Sequence, residues 1–185
     1  MAGPPPTNPA PEVTRFTRDL PPAHYILKIE SLSKIIQMLP GEKKPKYDSE
    51  VFECGGYKWK LSLYPIGRKE CDNAENISLY LAIEDTDSLP LCWEVNAMFK
   101  LFVLDQIRGE YLAVQDSKWF STSKRGYDHP KFLSLSMLKD PSRSLLANDL
   151  LVVEAHIEII SMVKINFTNG KKKNKNYIVG YSFKS

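Results

Sequence analysis

Apolar and polar residues alternate at period two through most of this chain. The pattern is clearest from Glu50 to Tyr64, where Tyr57, Trp59, Leu61 and Leu63 alternate with Lys58, Lys60, Ser62 and Tyr64. Side chains on a strand point to opposite faces in turn, so this arm has one large apolar face and one wet face. On the preceding arm Phe52 and Cys54 share a face, with Val51 and Glu53 opposite. Gly55-Gly56 between the arms supplies the positive φ angles of a two-residue hairpin turn. A hairpin with one greasy face is not stable alone in water, so other apolar runs must cover it.

Those runs follow the same rule. Tyr25, Leu27 and Ile29 alternate with Ile26, Lys28 and Glu30. Ile77, Leu79, Leu81 and Ile83 alternate with Ser78, Tyr80 and Ala82, which puts Tyr80 on the less apolar face. Trp93 to Leu104 reads as a longer strand whose apolar content changes face partway, predicting a bulge or a second half covered on both sides. Tyr111 to Gln115 reads as a short strand, and Leu151 to Ile159 as the strongest strand of the C-terminal half. On that last strand Glu154 and Glu158 share a face, read as solvated. Ser31 to Met38 reads as a helical turn or a loop, and Phe132 to Leu138 as a strand end running into one helical turn. Pro40 to Lys46 and Pro65 to Asn73 read as loops, and Ser117 to Pro130 as irregular. Six to eight strands, little helix and turn signals between them predict an all-β fold, an antiparallel β-sandwich.

Composition sets the limits of this picture. A chain of 185 residues is most simply one domain with ragged ends: a Pro-rich disordered leader over 1–21, the sandwich over 22–162 and a Lys-rich tail over 163–185. The hydrophobic share of 43% is enough for a real core. No run of apolar residues is long enough for a membrane helix, and the first residues lack the pattern of a secretory signal. Three cysteines without paired spacing read as reduced thiols, with the cytoplasm or the nucleus as the expected location. A net charge of +3, dispersed along the chain, gives no reason to expect nucleic acid. The Lys171 to Lys175 run reads as a solvated tail, with phosphate contact as its alternative.

Catalytic constellations are not found. His24, His129 and His156 lie far apart in sequence, with no carboxylate or thiol at a telling spacing. There is no cysteine-histidine cluster of zinc spacing and no phosphate-cradling glycine loop. No catalytic residue, cofactor, metal or small-molecule substrate is expected.

Several separated stretches, in order, carry a family likeness. They are Tyr25 to Glu30, the Glu50 to Gly67 hairpin region, Ile77-Ser-Leu-Tyr-Leu-Ala-Ile83, and Asp140-Pro-Ser with Leu146 to Ile157. Together they resemble the MATH domain, the TRAF-C homology fold, in the flavour of plant MATH-only proteins, over roughly His24 to Met162. The resemblance implies an antiparallel sandwich of seven or eight strands. It also implies a non-catalytic module that holds a short extended peptide of a partner protein beside a sheet edge. In such strand addition, main-chain hydrogen bonds set the register and pockets take alternate side chains. Carried across by motif, Tyr80 and Phe99 match groove residues, with ordinary surface and core packing as their respective alternatives. The family's Trp-Gly-Phe is degraded here: Tyr127-Asp128-His129 stands in its place, or Arg125-Gly126-Tyr127 if the alignment slides. Pro130 also removes a main-chain donor from the edge. Trp119, Phe120 and Tyr127 remain as candidate aromatic walls, with loop anchors packed on the sandwich as their alternative; His129 is a further candidate, and Lys124 and Arg125 are candidates to pair with an acidic ligand residue. Family members gain their output from a second unit. No heptads are sustained here, so a trimerising coiled coil is not expected; the oligomeric state stays open, a monomer being one option. The implied role is an adaptor in ubiquitin-related or signalling complexes. Its alternative is substrate recognition for a separate ubiquitin ligase or deubiquitinase.

Overall fold

A computed structural model describes residues 14–17, 24–37, 46–67, 75–168 and 171–179, with side chains described over 24–37, 46–67 and 75–162. In chain order the elements are β1 (Thr14–Thr17), β2 (Tyr25–Ile29), α1 (Leu32–Gln37), β3 (Tyr47–Asp48), β4 (Phe52–Cys54), β5 (Tyr57–Tyr64) and β6 (Asn76–Glu84). There follow β7 (Glu94–Asp105), β8 (Glu110–Ser121), β9 (Gly126–Ser134), α2 (Leu135–Leu138), β10 (Leu146–Ala147), β11 (Leu150–Thr168) and β12 (Lys171–Val179). All the strand pairings are antiparallel, in two sheets. One sheet runs β1-β8-β7-β11-β10, with β2 and β12 also on β11; the other runs β3-β5-β6-β9, with β4 also on β5. The all-β sandwich expected from the alternation is present.

The apolar face of the hairpin is where it was expected. Trp59, Leu61 and Leu63 are fully buried beside Leu79, Leu81, Phe99, Leu101, Val153 and Ala155, which come from both sheets. Each such side chain contributes about 1.5–3 kcal/mol by leaving water. Gly55 and Gly56 take φ of +61° and +79°, and a Cβ on Gly55 would lie 2.3 Å from Ile159 Cγ1. That turn therefore needs glycine twice over: for its left-handed backbone and for the close approach of β11.

The structure differs from the sequence reading in five places. Ser117 to Pro130 is not irregular: β8 has twelve residues, and it turns at 122–125 into β9. Thr14–Thr17, inside the stretch read as a disordered leader, is a strand paired to Glu110 to Ala113, while the remainder of 1–21 lies outside the described residues. β11 runs on past 162 to Thr168 and pairs with Lys171 to Val179, so part of the stretch read as a tail is a strand ribbon. Its sequence signal was Asn169-Gly170, a strong hairpin dipeptide flanked by the two arms. Glu154 is buried rather than solvated, because Tyr111 covers it and donates its hydroxyl to Oε1 at 3.2 Å. The histidines far apart in sequence are not all apart in space, since His24 stacks on His156 with centroids 4.7 Å apart. Of the two readings of Trp93 to Leu104, the covered one holds: Leu101, Phe102 and Val103 are all buried, and Phe102 belongs to a small second cluster with Tyr111 and Ala113. The loop stretches 40–45 and 68–73 lie outside the described residues.

Candidate functional site

Two edges meet at one side of the sandwich. β9 pairs only with β6 among the described residues, which makes it the edge of its sheet. β8 is paired to β7 along its whole length but to β1 only at Glu110 to Ala113, so 114–121 have one strand partner among the described residues. The tight β8–β9 turn, closed by Ser121 and Lys124 exchanging main-chain hydrogen bonds at 3.0 Å each, sets these edges side by side.

Antiparallel pairing then decides what β9 presents. Ile83 N–H donates to the Arg125 carbonyl at 2.9 Å. Hydrogen-bonded and non-hydrogen-bonded pairs alternate along such a ladder. With the register Leu81↔Tyr127 and Leu79↔His129, residues 125, 127 and 129 direct their main-chain groups toward β6. Gly126 and Asp128 therefore turn theirs outward, toward the edge. The ladder slips between Ile77 and Leu79, where Ser78 donates its hydroxyl to the Pro130 carbonyl at 2.8 Å. A proline at an edge bulge leaves no donor there to satisfy.

Side chains on β9 fall into two sets. Tyr127 and His129 point between the sheets. The Tyr127 ring meets Phe120 edge to face at 5.1 Å, its hydroxyl donates to the Trp119 carbonyl, and Lys124 Nζ lies 4.3 Å from its ring centre. A lysine over a tyrosine face is a cation–π contact. His129 is 4% exposed and meets Phe99 edge to face at 5.3 Å, and its Nε2 is buried without a hydrogen-bond partner among the described residues. Burial holds its imidazole below the ordinary range; Lys118 acts in the same direction, while Asp116 and Asp128 pull it up. Asp116 and Lys118 form a 2.8 Å ion pair on the inward face of β8 with side chains 22% and 36% exposed, which marks where the gap between the sheets opens.

On the other face of β9, Tyr80 stands opposite Asp128 in the register. Its ring covers Gly126: a Cβ there would come within 2.4 Å of the Tyr80 Cζ and hydroxyl oxygen. Glycine at 126 is what lets Tyr80 lie down over the edge strand.

The expected site residues therefore divide. Lys124, Tyr127 and His129 come together at the β8–β9 mouth, with Arg125 exposed in the same turn; Trp119 brings only its main-chain carbonyl there, its exposed side chain lying on the face of β8 opposite Phe120. Tyr80 lies on the opposite face of the same edge. Phe99 is fully buried and forms the floor under His129, so it reaches no ligand directly. Phe120, a candidate wall, is fully buried and supports Tyr127 from below. Asp116 and Lys118 were not singled out as site residues for the mouth, because it is made of two segments whose meeting depends on the β8–β9 turn. Among the described residues no cluster of three or more histidine, cysteine or acidic side chains is set to hold a metal ion. Among the described residues no helix is long and apolar enough to cross a membrane.

Comparison with known proteins fits this geometry. The MATH-domain family profile matches residues 24–157. The chain is 34% identical over 129 residues to ubiquitin C-terminal hydrolase 12 of Arabidopsis thaliana, an overlap of 69% of this chain and 11% of that protein. It is 32% identical over 117 residues to a MATH domain and coiled-coil domain-containing protein of the same plant, covering 62% of this chain and 36% of the relative. A second protein of that description is 31% identical over 118 residues, covering 63% and 42%. The chain thus spans less than half the length of each of these relatives. With the profile covering most of its length and the two-sheet antiparallel fold in place, this chain belongs to the MATH-domain family of protein-interaction modules.

Proposed function

We propose that this chain is a non-catalytic interaction module that takes an extended peptide of a partner protein as an added strand along β9. The observation that carries this reading is the edge position of β9, with Gly126 and Asp128 turned outward beside the half-open β8. An added strand gains main-chain hydrogen bonds at alternate residues and places every second side chain against Tyr127, His129 and the Asp116–Lys118 pair. Lys124 and Arg125, both exposed at the turn, give that strand an entrance suited to an acidic residue. Similarity to ubiquitin C-terminal hydrolase 12 supports a second reading of the output, in which the module presents client proteins to a separate ubiquitin ligase or deubiquitinase.

A selection of random peptides displayed on phage, followed by an N-methyl scan of the winning peptide, tests strand addition. Methylating the amides that face β9 is expected to weaken binding about two- to tenfold each, and the intervening amides are expected to tolerate it. Equal tolerance along the peptide would rule out strand addition.

A further inference from the structure

One polar atom at the mouth has nothing to do in the isolated chain. His129 Nε2 is buried and unpartnered, in a ring 4% exposed and packed on Phe99. A buried donor or acceptor left unmade costs free energy, so a native protein holding one invites an explanation. The site lies where β9 offers its inward face to an added strand, beside Tyr127 and the Asp116–Lys118 pair.

Resting on the strand-addition reading above, we infer that His129 is a specificity-determining residue: it selects a peptide whose inward side chain opposite it carries a neutral hydrogen-bonding group, a hydroxyl or an amide. Neighbouring strands lie about 5 Å apart, so that side chain sits against the imidazole. An apolar side chain there would seal the mouth and leave the nitrogen unpaired. A carboxylate would be drawn out of water toward Asp116, and an ammonium toward Lys118, and neither gains a free counter-charge because those two neutralise each other. A neutral imidazole offers one donor and one acceptor, which a hydroxyl or amide matches in either ring orientation.

The test is a positional selection from a random-peptide phage library against the wild-type chain, His129→Phe and His129→Gln, with folding of each checked by near-ultraviolet circular dichroism. Wild type is expected to enrich serine, threonine, asparagine or glutamine at one position. His129→Phe is expected to turn that position apolar, with at least a tenfold change in preference, while the other positions keep theirs. His129→Gln keeps a hydrogen-bonding group and is expected to retain the polar preference; if the phenylalanine variant does not fold, His129→Leu takes its place, and a folded leucine variant with the wild-type preference overturns the role of His129. Identical preferences in wild type and the folded His129→Phe variant would overturn the role of His129 and leave strand addition standing. Failure of folded wild type to select any peptide would overturn both.

Discussion

At the scale of single residues, burial governs the behaviour of the polar groups. Cys54 is a free thiol donating to the Ile157 carbonyl at 3.2 Å, and burial, helped by the charge of Glu158, pushes it up to about 11. Held this way at the end of β4, the thiol packs against β11 and is a poor thiolate former. His129 has the larger consequence. Its folded-state pKa lies below the ordinary 6.5, so below that pH the unfolded chain binds a proton that the folded chain refuses. The stability associated with the neutral ring is whole above about pH 6.5 and is lost as pH falls from there toward the folded value. Urea melts at pH 7.5 and 5.5 are expected to show a smaller acid loss for His129→Phe than for wild type. Equal losses would place the acid sensitivity elsewhere.

At the scale of elements, the hairpin of β4 and β5 is pinned by a single indole. Trp59 is fully buried, donates from Nε1 to the Cys54 carbonyl at 3.0 Å and meets Phe120 edge to face at 5.1 Å. Trp59→Ala is expected to cost about 3–5 kcal/mol through the cavity, and Trp59→Phe about 1–3 kcal/mol through the orphaned carbonyl and the missing ring. Guanidinium denaturation of the three proteins measures the order; a phenylalanine variant as stable as wild type would show that the indole hydrogen bond is not needed. The helix α1 is held in another way, by a distant turn: Asp149, at φ +61°, accepts from the Ser33 N–H at 2.9 Å and from the Ser33 hydroxyl at 2.6 Å. This is why a stretch that reads equally as helix or loop settles as helix. Its first turn borrows its acceptor from the β10–β11 connection.

Across the whole molecule, rings link the hairpin to the mouth. Trp59 touches Phe120, Phe120 touches Tyr127 and Phe99, and Phe99 touches His129. Because one cluster draws its members from both sheets, the sandwich is expected to unfold as a unit. Leu61→Ala in one sheet and Phe99→Ala in the other are each expected to lower the free energy of unfolding by about 2–5 kcal/mol. Far-ultraviolet dichroism and tryptophan fluorescence are expected to move together in both variants. A splitting of the two signals would mean that the sheets unfold separately.

Period-two alternation by itself determined the sandwich, the inward faces of β5, β6 and β7, and the glycine turn at 55–56, because strand geometry ties facing to sequence parity. It also determined that Tyr127 and His129 share a face once β9 is granted as a strand. Tertiary structure alone decided that the first part of β9 is a strand, since Pro130 and the register slip beside it break the run and its conformation is imposed by pairing with β6. It alone decided that Glu154 is covered, that Phe99 is floor and not wall, and that Asp116 and Lys118 stand at the mouth. Those facts depend on which edges meet, and edge contacts between segments distant in sequence leave no period to read.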